Sequence, residues 1–430
     1  MKKSADESAL ASENPVTFSA LGERAQPPTI ARLMTMALET PNLLSLAAGF
    51  TDNATLPVDF VRAATEAMLG NPGDREFIQY GTNQGRPRLR QLLAERLAKI
   101  EAKLDAAELS RGLFVTNGSQ QALYLAMQVL GEPGDIILVD RPSYFVFLEM
   151  LTGLGLRAVS MPVDAAGKID APALGALLDS LASKGEMRKI RAVYFVSYFS
   201  NPSARSLDAA EKTSVAAELS ARGLCIPVVE DTAYRELYYR EAPAAPSVLS
   251  LPAWAKFPKL YTATLTKPFA TGLKVGYGLC TDDAWLKKML HVKGHHDFGS
   301  ANFNQAILEH ALVSGNYDRQ LEQIRPAYER KMRALHETLV REGLPTLGWS
   351  WAEPTGGLYL WLKAPESLDT GLDSAFCRAC LEAGVLYVPG ELCFGDEAPK
   401  NFIRASFGVL NERDLAEAGR RFVSVVRRFV

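Results

Sequence analysis

Lys267 stands in Leu265-Thr-Lys267-Pro-Phe-Ala-Thr-Gly-Leu-Lys274, after the apolar run 259–265 and before a glycine-containing turn. An amine that forms a Schiff base with a carbonyl compound needs a lowered pKa, and hydroxyls and a second cation nearby help to lower it. Thr264, Thr266 and Lys274 supply such groups within ten residues; without them Lys267 reads as a solvated surface group, as most lysines are. Thr116-Asn-Gly118-Ser119-Gln120-Gln121 follows a short apolar run and opens a helical pattern. The free N–H groups and the dipole at a helix start bind phosphate, although Ser119 also suits an ordinary N-cap. Asp231 ends another apolar run, in Val228-Val-Glu-Asp231-Thr-Ala-Tyr234. An Asp at a strand end either pairs with a protonated ring nitrogen, making that ring an electron sink, or caps the helix that follows.

Three further residues stand after or within apolar runs. Tyr144, in Asp140-Arg-Pro-Ser-Tyr144, follows a strand end and either stacks on a flat ligand or packs. Asn201-Pro202 follows a third apolar run and reads as a turn. Arg404 lies in the short apolar run Asn401-Phe-Ile-Arg404-Ala-Ser-Phe. Arginine is seldom buried without a partner, and its planar fork suits a carboxylate.

The elements that must position these groups are legible as alternating patterns. Strand-length apolar runs at 113–116, 135–139, 192–196 and 226–229 alternate with helical periodicity, as in 120–130. That alternation predicts an α/β fold with a mainly parallel sheet. Pro227 inside the fourth run argues for the start of a strand. Helices are predicted near 28–39 and 58–70, with an irregular stretch between Pro41 and Pro57. After about residue 305 the pattern becomes one long helical stretch (305–342), a strand from Gly356-Gly-Leu-Tyr-Leu-Trp, and helices near 373–383 and 412–428. This reads as a smaller α+β domain. The predicted division is a mobile tail over 1–15, an N-terminal segment over 16–65, a large domain over 66–304 and a small domain over 305–430.

Composition narrows the function class. The 430 residues are 47% hydrophobic and 22% charged, with a formal net charge of −2. These values fit a globular enzyme and carry no electrostatic footprint for nucleic acid. The run Arg86, Arg88, Arg90 is too short to change that. No stretch of apolar residues is long enough to span a membrane, and five cysteines without a signal-peptide pattern predict a cytoplasmic protein. Cys377-Arg-Ala-Cys380 is half of a zinc pattern with no second pair, and His295-His296 has no ligand cluster to join, so no metal is expected. Glu230 beside Asp231 does not make a carboxylate pair, because adjacent residues of a strand face opposite ways.

The order of these motifs resembles the fold-type I pyridoxal-phosphate enzymes, the class I/II aminotransferases. Within them it is similar to the branch of aminoadipate and kynurenine aminotransferases and the aminotransferase-like domains of certain transcription regulators. The resemblance runs from about residue 16 to the C-terminus. It is carried by Tyr80-Gly-Thr-Asn-Gln-Gly, Gly118-Ser-Gln-Gln-Ala-Leu, Val229-Glu-Asp-Thr-Ala-Tyr-Arg-Glu-Leu-Tyr, Gly356-Gly-Leu-Tyr-Leu-Trp and Ile403-Arg-Ala-Ser-Phe. It implies a large domain with a seven-stranded-type sheet and a homodimer with shared active sites. It also implies that Lys267 carries pyridoxal 5′-phosphate as an internal aldimine and that Asp231 holds the pyridine nitrogen. Tyr234 and Asn201 would bond the ring hydroxyl, Tyr144 would stack on the ring, and Gly118, Ser119, Gln120, Thr264 and Lys274 would form the phosphate cup. Tyr80 would reach the phosphate of the neighbouring subunit, Arg404 with Asn201 would bind the substrate α-carboxylate, and Gly49 would lie on the loop over the substrate.

Three departures stand out: Lys274 replaces the family's phosphate-binding arginine, Asn201-Pro-Ser-Ala204 replaces Asn-Pro-Thr-Gly, and Thr264-Leu-Thr-Lys267 replaces Ser-x-Ser-Lys. The implied reaction is ping-pong transfer of an amino group from an α-amino acid to a 2-oxo acid. A lyase, decarboxylase or oxidase on the same scaffold is the alternative, since fold does not fix reaction. The regulators carry a DNA-binding module ahead of this domain; with at most 15 residues before the matched stretch, no such module is expected. Aminoadipate-type members carry an arginine directly after a Thr-Ile pair; here Thr29-Ile30 is followed by Ala31, with Arg32 one place on, about 100° around a helix. Arg24 is the other candidate, and Phe50 and Tyr198 are candidate pocket walls. Uncharged donors are therefore expected over acidic ones.

Overall fold

The computed structural model describes residues 16–70, 75–101 and 104–430; the tail expected over 1–15 lies outside the described residues. In chain order the strands are β1 (Leu44–Ser45), β2 (Leu113–Asn117), β3 (Ile136–Val139), β4 (Arg157–Ser160), β5 (Ile190–Val196) and β6 (Val228–Asp231). They continue with β7 (Lys259–Thr264), β8 (Val275–Cys280), β9 (Tyr359–Lys363), β10 (Val385–Leu386), β11 (Val388–Pro389) and β12 (Phe402–Ser406). The large sheet has seven strands in the order β2-β8-β7-β6-β5-β3-β4. All run parallel except β8, which is antiparallel to both of its neighbours.

Alternation along the strands explains why the sheet is covered on both faces. Ile137, Val139, Ala192, Tyr194 and Val196 pack with the helices Ser119–Leu130, Phe145–Leu154 and Asp283–His296. Their neighbours Ile136, Leu138, Val193 and Phe195 point the other way, against Ala171–Ser183 and Ala209–Ala221. Strands buried on both faces read as continuous apolar runs, and the three-layer sandwich follows.

Several boundaries differ from the sequence reading. The fourth run becomes Val228–Asp231, two residues later than expected, because Pro227 cannot enter the ladder. The long helical stretch is two helices, Asn302–Val313 and Asn316–Arg341, separated at Gly315 with φ +74. The irregular stretch before Pro57 contains β1, which pairs in parallel with β10. A three-stranded antiparallel sheet, β11-β12-β9, stands beside the long helix Asn316–Arg341, and Glu412–Val426 packs on that helix and on β1 and β10. Among the described residues no helix is long and apolar enough to cross a membrane.

Beneath β6, on the face away from Asp231, lies a buried ion pair. Lys212 Nζ donates to Glu230 Oε1 at 2.9 Å, and both side chains are fully buried. Val248 N donates to Glu230 Oε2 at 3.1 Å, and Lys212 also donates to the Pro246 carbonyl at 2.9 Å. The pair fastens the helix Ala209–Ala221 to β6. Removing one partner leaves an uncompensated buried charge, so Lys212→Met is expected to cost about 3–5 kcal/mol in chemical denaturation. Lys212→Met/Glu230→Leu should recover part of that loss; an equal loss in single and double variants would show that packing, not charge, is at stake.

Candidate active site

Five parallel strands end at one edge of the sheet. Just beyond their carboxyl ends the chain carries Gly118 and Ser119 (after β2), Tyr144 (β3), Asn201 (β5), Tyr234 (β6) and Lys267 (β7), and Asp231 is the last residue of β6. Such an edge is where an α/β sheet opens a ligand crevice. Here a cleft of about 540 Å³ opens there.

One end of the cleft is a helix start. Gly118 takes φ +73 and is followed by the helix Ser119–Leu130, which has no side-chain cap. Ser119 is therefore the first helical residue and not the N-cap. The N–H groups of a first turn have no acceptor within the helix. A Cβ at Gly118 would meet nothing within 4 Å, so the space before the turn is open. Behind the turn, Gly276 of β8 lets the strand approach: a Cβ there would sit 2.4 Å from Ser119 N. Thr264 Oγ1 and Thr266 Oγ1 lie 2.7 Å apart on the same wall. Lys274 takes a left-handed φ of +55, and it is exposed on the cleft.

The floor carries an acid. Asp231 is 4% exposed; its Oδ1 accepts from Ala233 N at 3.0 Å and its Oδ2 from the Tyr194 hydroxyl at 3.1 Å. Burial pushes its carboxyl up to about 6, against the pull of those two donors. Glu230 faces the buried Lys212 instead, as alternation along a strand requires.

Lys267 lines the same cleft. Its Nζ donates to the Gly49 carbonyl. Burial, with the charges of Arg404 and Lys274, pushes this amine below the ordinary lysine range, while Tyr359 opposes the shift. Tyr234 is buried, with its hydroxyl 2.9 Å from that of Tyr359. Burial and that neighbour hold its phenol well above the ordinary tyrosine range. Tyr144 forms the turn before the helix Phe145–Leu154 and lines the cleft.

Arg404, on β12, is 2% exposed. Its Nη1 donates to Asn201 Oδ1 at 2.9 Å and its Nη2 to the Ala47 carbonyl at 2.7 Å. Its Nε has no partner, and among the described residues no carboxylate lies within ion-pair distance. A buried guanidinium without a counter-ion is suited to an anionic ligand.

The structure thus brings all but one of the residues singled out by motif to one cleft. The exception is Tyr80, 83% exposed and outside the cleft, its ring edge-on to Phe298 at 6.0 Å. One of the two expected pocket walls needs correction. Tyr198 is fully buried on the Lys212 face, where its hydroxyl donates to the Ala245 carbonyl at 3.0 Å, whereas Phe50 does line the cleft. Cys377 and Cys380 are buried in one helix face. Ala204 takes φ +54, so its turn keeps a left-handed residue although no glycine stands there. Tyr194 and Tyr359 were missed: each sits inside an apolar strand run, where a tyrosine reads as core.

The family model described as aminotransferase class I and II matches residues 41–422. The chain is 29% identical over 391 residues to aromatic-amino-acid aminotransferase 1 of Thermococcus litoralis, covering 91% of this chain and 89% of the relative. It is 29% identical over 399 residues to 2-aminoadipate transaminase of Thermus thermophilus, covering 93% of each. Its fold is similar to the crystal structure of kynurenine aminotransferase of Pyrococcus horikoshii, with a TM-score of 0.85, 26% identity and coverage of 96% of this chain and 97% of that one.

The raised Asp231 carboxyl has a measurable consequence in the ligand-free protein. An unfolded Asp titrates near 3.9, so between about pH 4 and about pH 6 the folded protein holds more protons than the unfolded one. This group's contribution to stability therefore falls as pH rises through that window, by up to about 3 kcal/mol. Asp231→Asn should flatten that fall in denaturation curves measured across the window. An unchanged slope would mean that Asp231 ionises as it does in the unfolded chain.

Proposed function

Because this chain belongs to the aminotransferase class I and II family, we propose a division of labour among the residues of its cleft. The protein is a pyridoxal-phosphate-dependent aminotransferase, which moves the amino group of an α-amino acid to a 2-oxo acid. The residues present fit the cofactor. The open space before Gly118 admits a phosphate, the buried Asp231 has no cationic partner among the described residues, and a lysine with a lowered pKa lines the same cleft. When bound, the cofactor supplies a carbonyl carbon for the amino group and a protonated ring that withdraws electrons.

In this reading the N–H groups of the Gly118-Ser119-Gln120 turn, with Thr264 and Lys274, hold the phosphate. The partner of the ring N–H would be Asp231, Tyr234 and Asn201 would bond the ring hydroxyl, and Tyr144 would cover the ring. Lys267 would hold the cofactor covalently, and its Nζ would serve as general base and then general acid for the proton of the substrate α-carbon. Arg404 binds the substrate α-carboxylate with Asn201, and the loop at Gly49 closes over it. The observation that carries the reading is the buried Arg404 guanidinium, with no carboxylate partner among the described residues, opening on the same cleft as the Lys267 amine.

The side-chain pocket favours uncharged donors. Arg32 is turned outward to Asp373 at 3.1 Å, and Arg24 donates to the Gly153 carbonyl at 3.3 Å. Pro28, Ile30 and Phe50 stand on the cleft instead. In a screen of amino donors with a 2-oxo acid present, leucine, phenylalanine or kynurenine should exceed glutamate and 2-aminoadipate in kcat/KM. Lys267→Ala should show no turnover with any donor. An advantage of the acidic pair above about tenfold, about 1.4 kcal/mol, would overturn the pocket reading. Product formed without a 2-oxo acid would instead favour a lyase, decarboxylase or oxidase.

The active unit is a homodimer in the cytoplasm. Tyr80, Phe298 and Ile78 expose large apolar surface, at 83%, 70% and 69%, which suits burial against a second copy. Tyr80 would there reach the partner's phosphate site. The free thiols fit a reducing compartment. Light scattering should report twice the chain mass; a fully active monomer would overturn the assembly.

A further inference from the structure

Tyr359, at the start of β9, stands in the cleft without a part in the reading above. Its hydroxyl lies 2.9 Å from that of Tyr234, and the two rings meet edge-on with centres 5.7 Å apart. The Arg404 guanidinium lies over its ring, 4.4 Å from the centre, within cation–π range. A Cβ on Gly49 would come within 3.1 Å of its hydroxyl oxygen. The same hydroxyl therefore packs against the backbone whose carbonyl receives the Lys267 amine.

A phenol has one proton to donate and an oxygen that accepts. If Tyr234 gives its proton to the cofactor's ring oxygen, only Tyr359 can donate across the 2.9 Å contact. A donor that also accepts is polarised into a stronger donor. We propose that Tyr359 is a positioning residue that couples the two ends of the cleft: its hydroxyl donates to Tyr234 and strengthens it as a donor, and its ring holds the Arg404 guanidinium in line for a carboxylate. The inference rests on the reading of Tyr234 as the partner of the ring hydroxyl. The titratable groups facing this pair are Arg404 from β12, Tyr144 after β3 and Lys267 after β7; Asp231 faces Tyr144, and Lys274 faces Lys267.

The test titrates the absorbance of the bound cofactor against pH in the wild type, Tyr359→Phe, Tyr234→Phe and the double variant, each loaded with pyridoxal phosphate. A weaker Tyr234 donor stabilises the ring oxygen anion less. Tyr359→Phe should therefore move the midpoint upward by about half a unit, and should add nothing in the Tyr234→Phe background. Phe keeps the ring, so KM for the amino donor should stay within about twofold of wild type. Tyr359→Leu removes the ring from beneath Arg404 and should raise that KM about five- to tenfold. If Tyr234→Phe moves the midpoint and Tyr359→Phe does not, the inference is overturned and the reading of Tyr234 stands. If neither moves it, both fall. A KM that rises equally in the Phe and Leu variants overturns the role of the ring.

Discussion

A buried charge without a counter-ion is costly, and the cleft concentrates two of them. The Arg404 guanidinium and the Asp231 carboxylate are both nearly inaccessible, and neither has an ion-pair partner among the described residues. Two other buried charges are neutralised within the protein: Lys212 is paired with Glu230, and Arg235 with Glu101. Neighbouring residues of one strand thus carry opposite solutions. Glu230 is neutralised from below by the protein, and Asp231 is left for a ligand above. The imbalance is a binding device, because a cationic ring nitrogen and an anionic carboxylate recover interactions the empty protein forgoes.

Holding two such charges open requires a rigid frame. The sheet supplies it by ending five strands at one edge, each followed by a turn that carries one site residue. The antiparallel β8 is the less obvious part of that frame. It runs back between β2 and β7, so Lys274 enters the cleft at its start rather than its end. Gly276 then lets the strand lie directly behind the Gly118–Ser119 turn, where any side chain would collide with Ser119 N. The phosphate end therefore depends on a small residue in a strand that itself carries no reactive group. Arg404 comes from the other sheet, and its contacts to Asn201 and the Ala47 carbonyl join the two parts of the molecule at the substrate end.

Much of this is legible in the sequence. Residues at strand ends, such as Lys267 and Asp231, carry their own signal, because a polar residue after an apolar run marks a crevice edge in an α/β sheet. The parallel sheet itself followed from alternating apolar runs and helical periods. Residues inside the runs were not legible. Tyr194 and Tyr359 look like core in a pattern of hydrophobicity, yet their hydroxyls meet Asp231 and Tyr234. Tyr198, by contrast, looked like a pocket wall and turned out to face the Lys212 layer. A pattern of apolar residues records burial but not which face of a doubly covered sheet a side chain takes.

The sequence by itself determined the class of fold, the family, and the chemical types that had to meet: a lysine, an aspartate, an arginine and a glycine turn before a helix. These are local properties, read from residue type and from short spacings. Only the tertiary structure decided which charges were neutralised and which were left open. Glu230 and Asp231 are adjacent in the chain and alike in type, but one faces Lys212 from a helix in the layer below and the other faces the cleft. Likewise Arg32 turns to Asp373, more than three hundred residues away, while Arg404 has no carboxylate within ion-pair distance among the described residues. A counter-ion is supplied by whatever the fold brings within a few ångströms, and such long-range proximity has no period or spacing for a sequence to display.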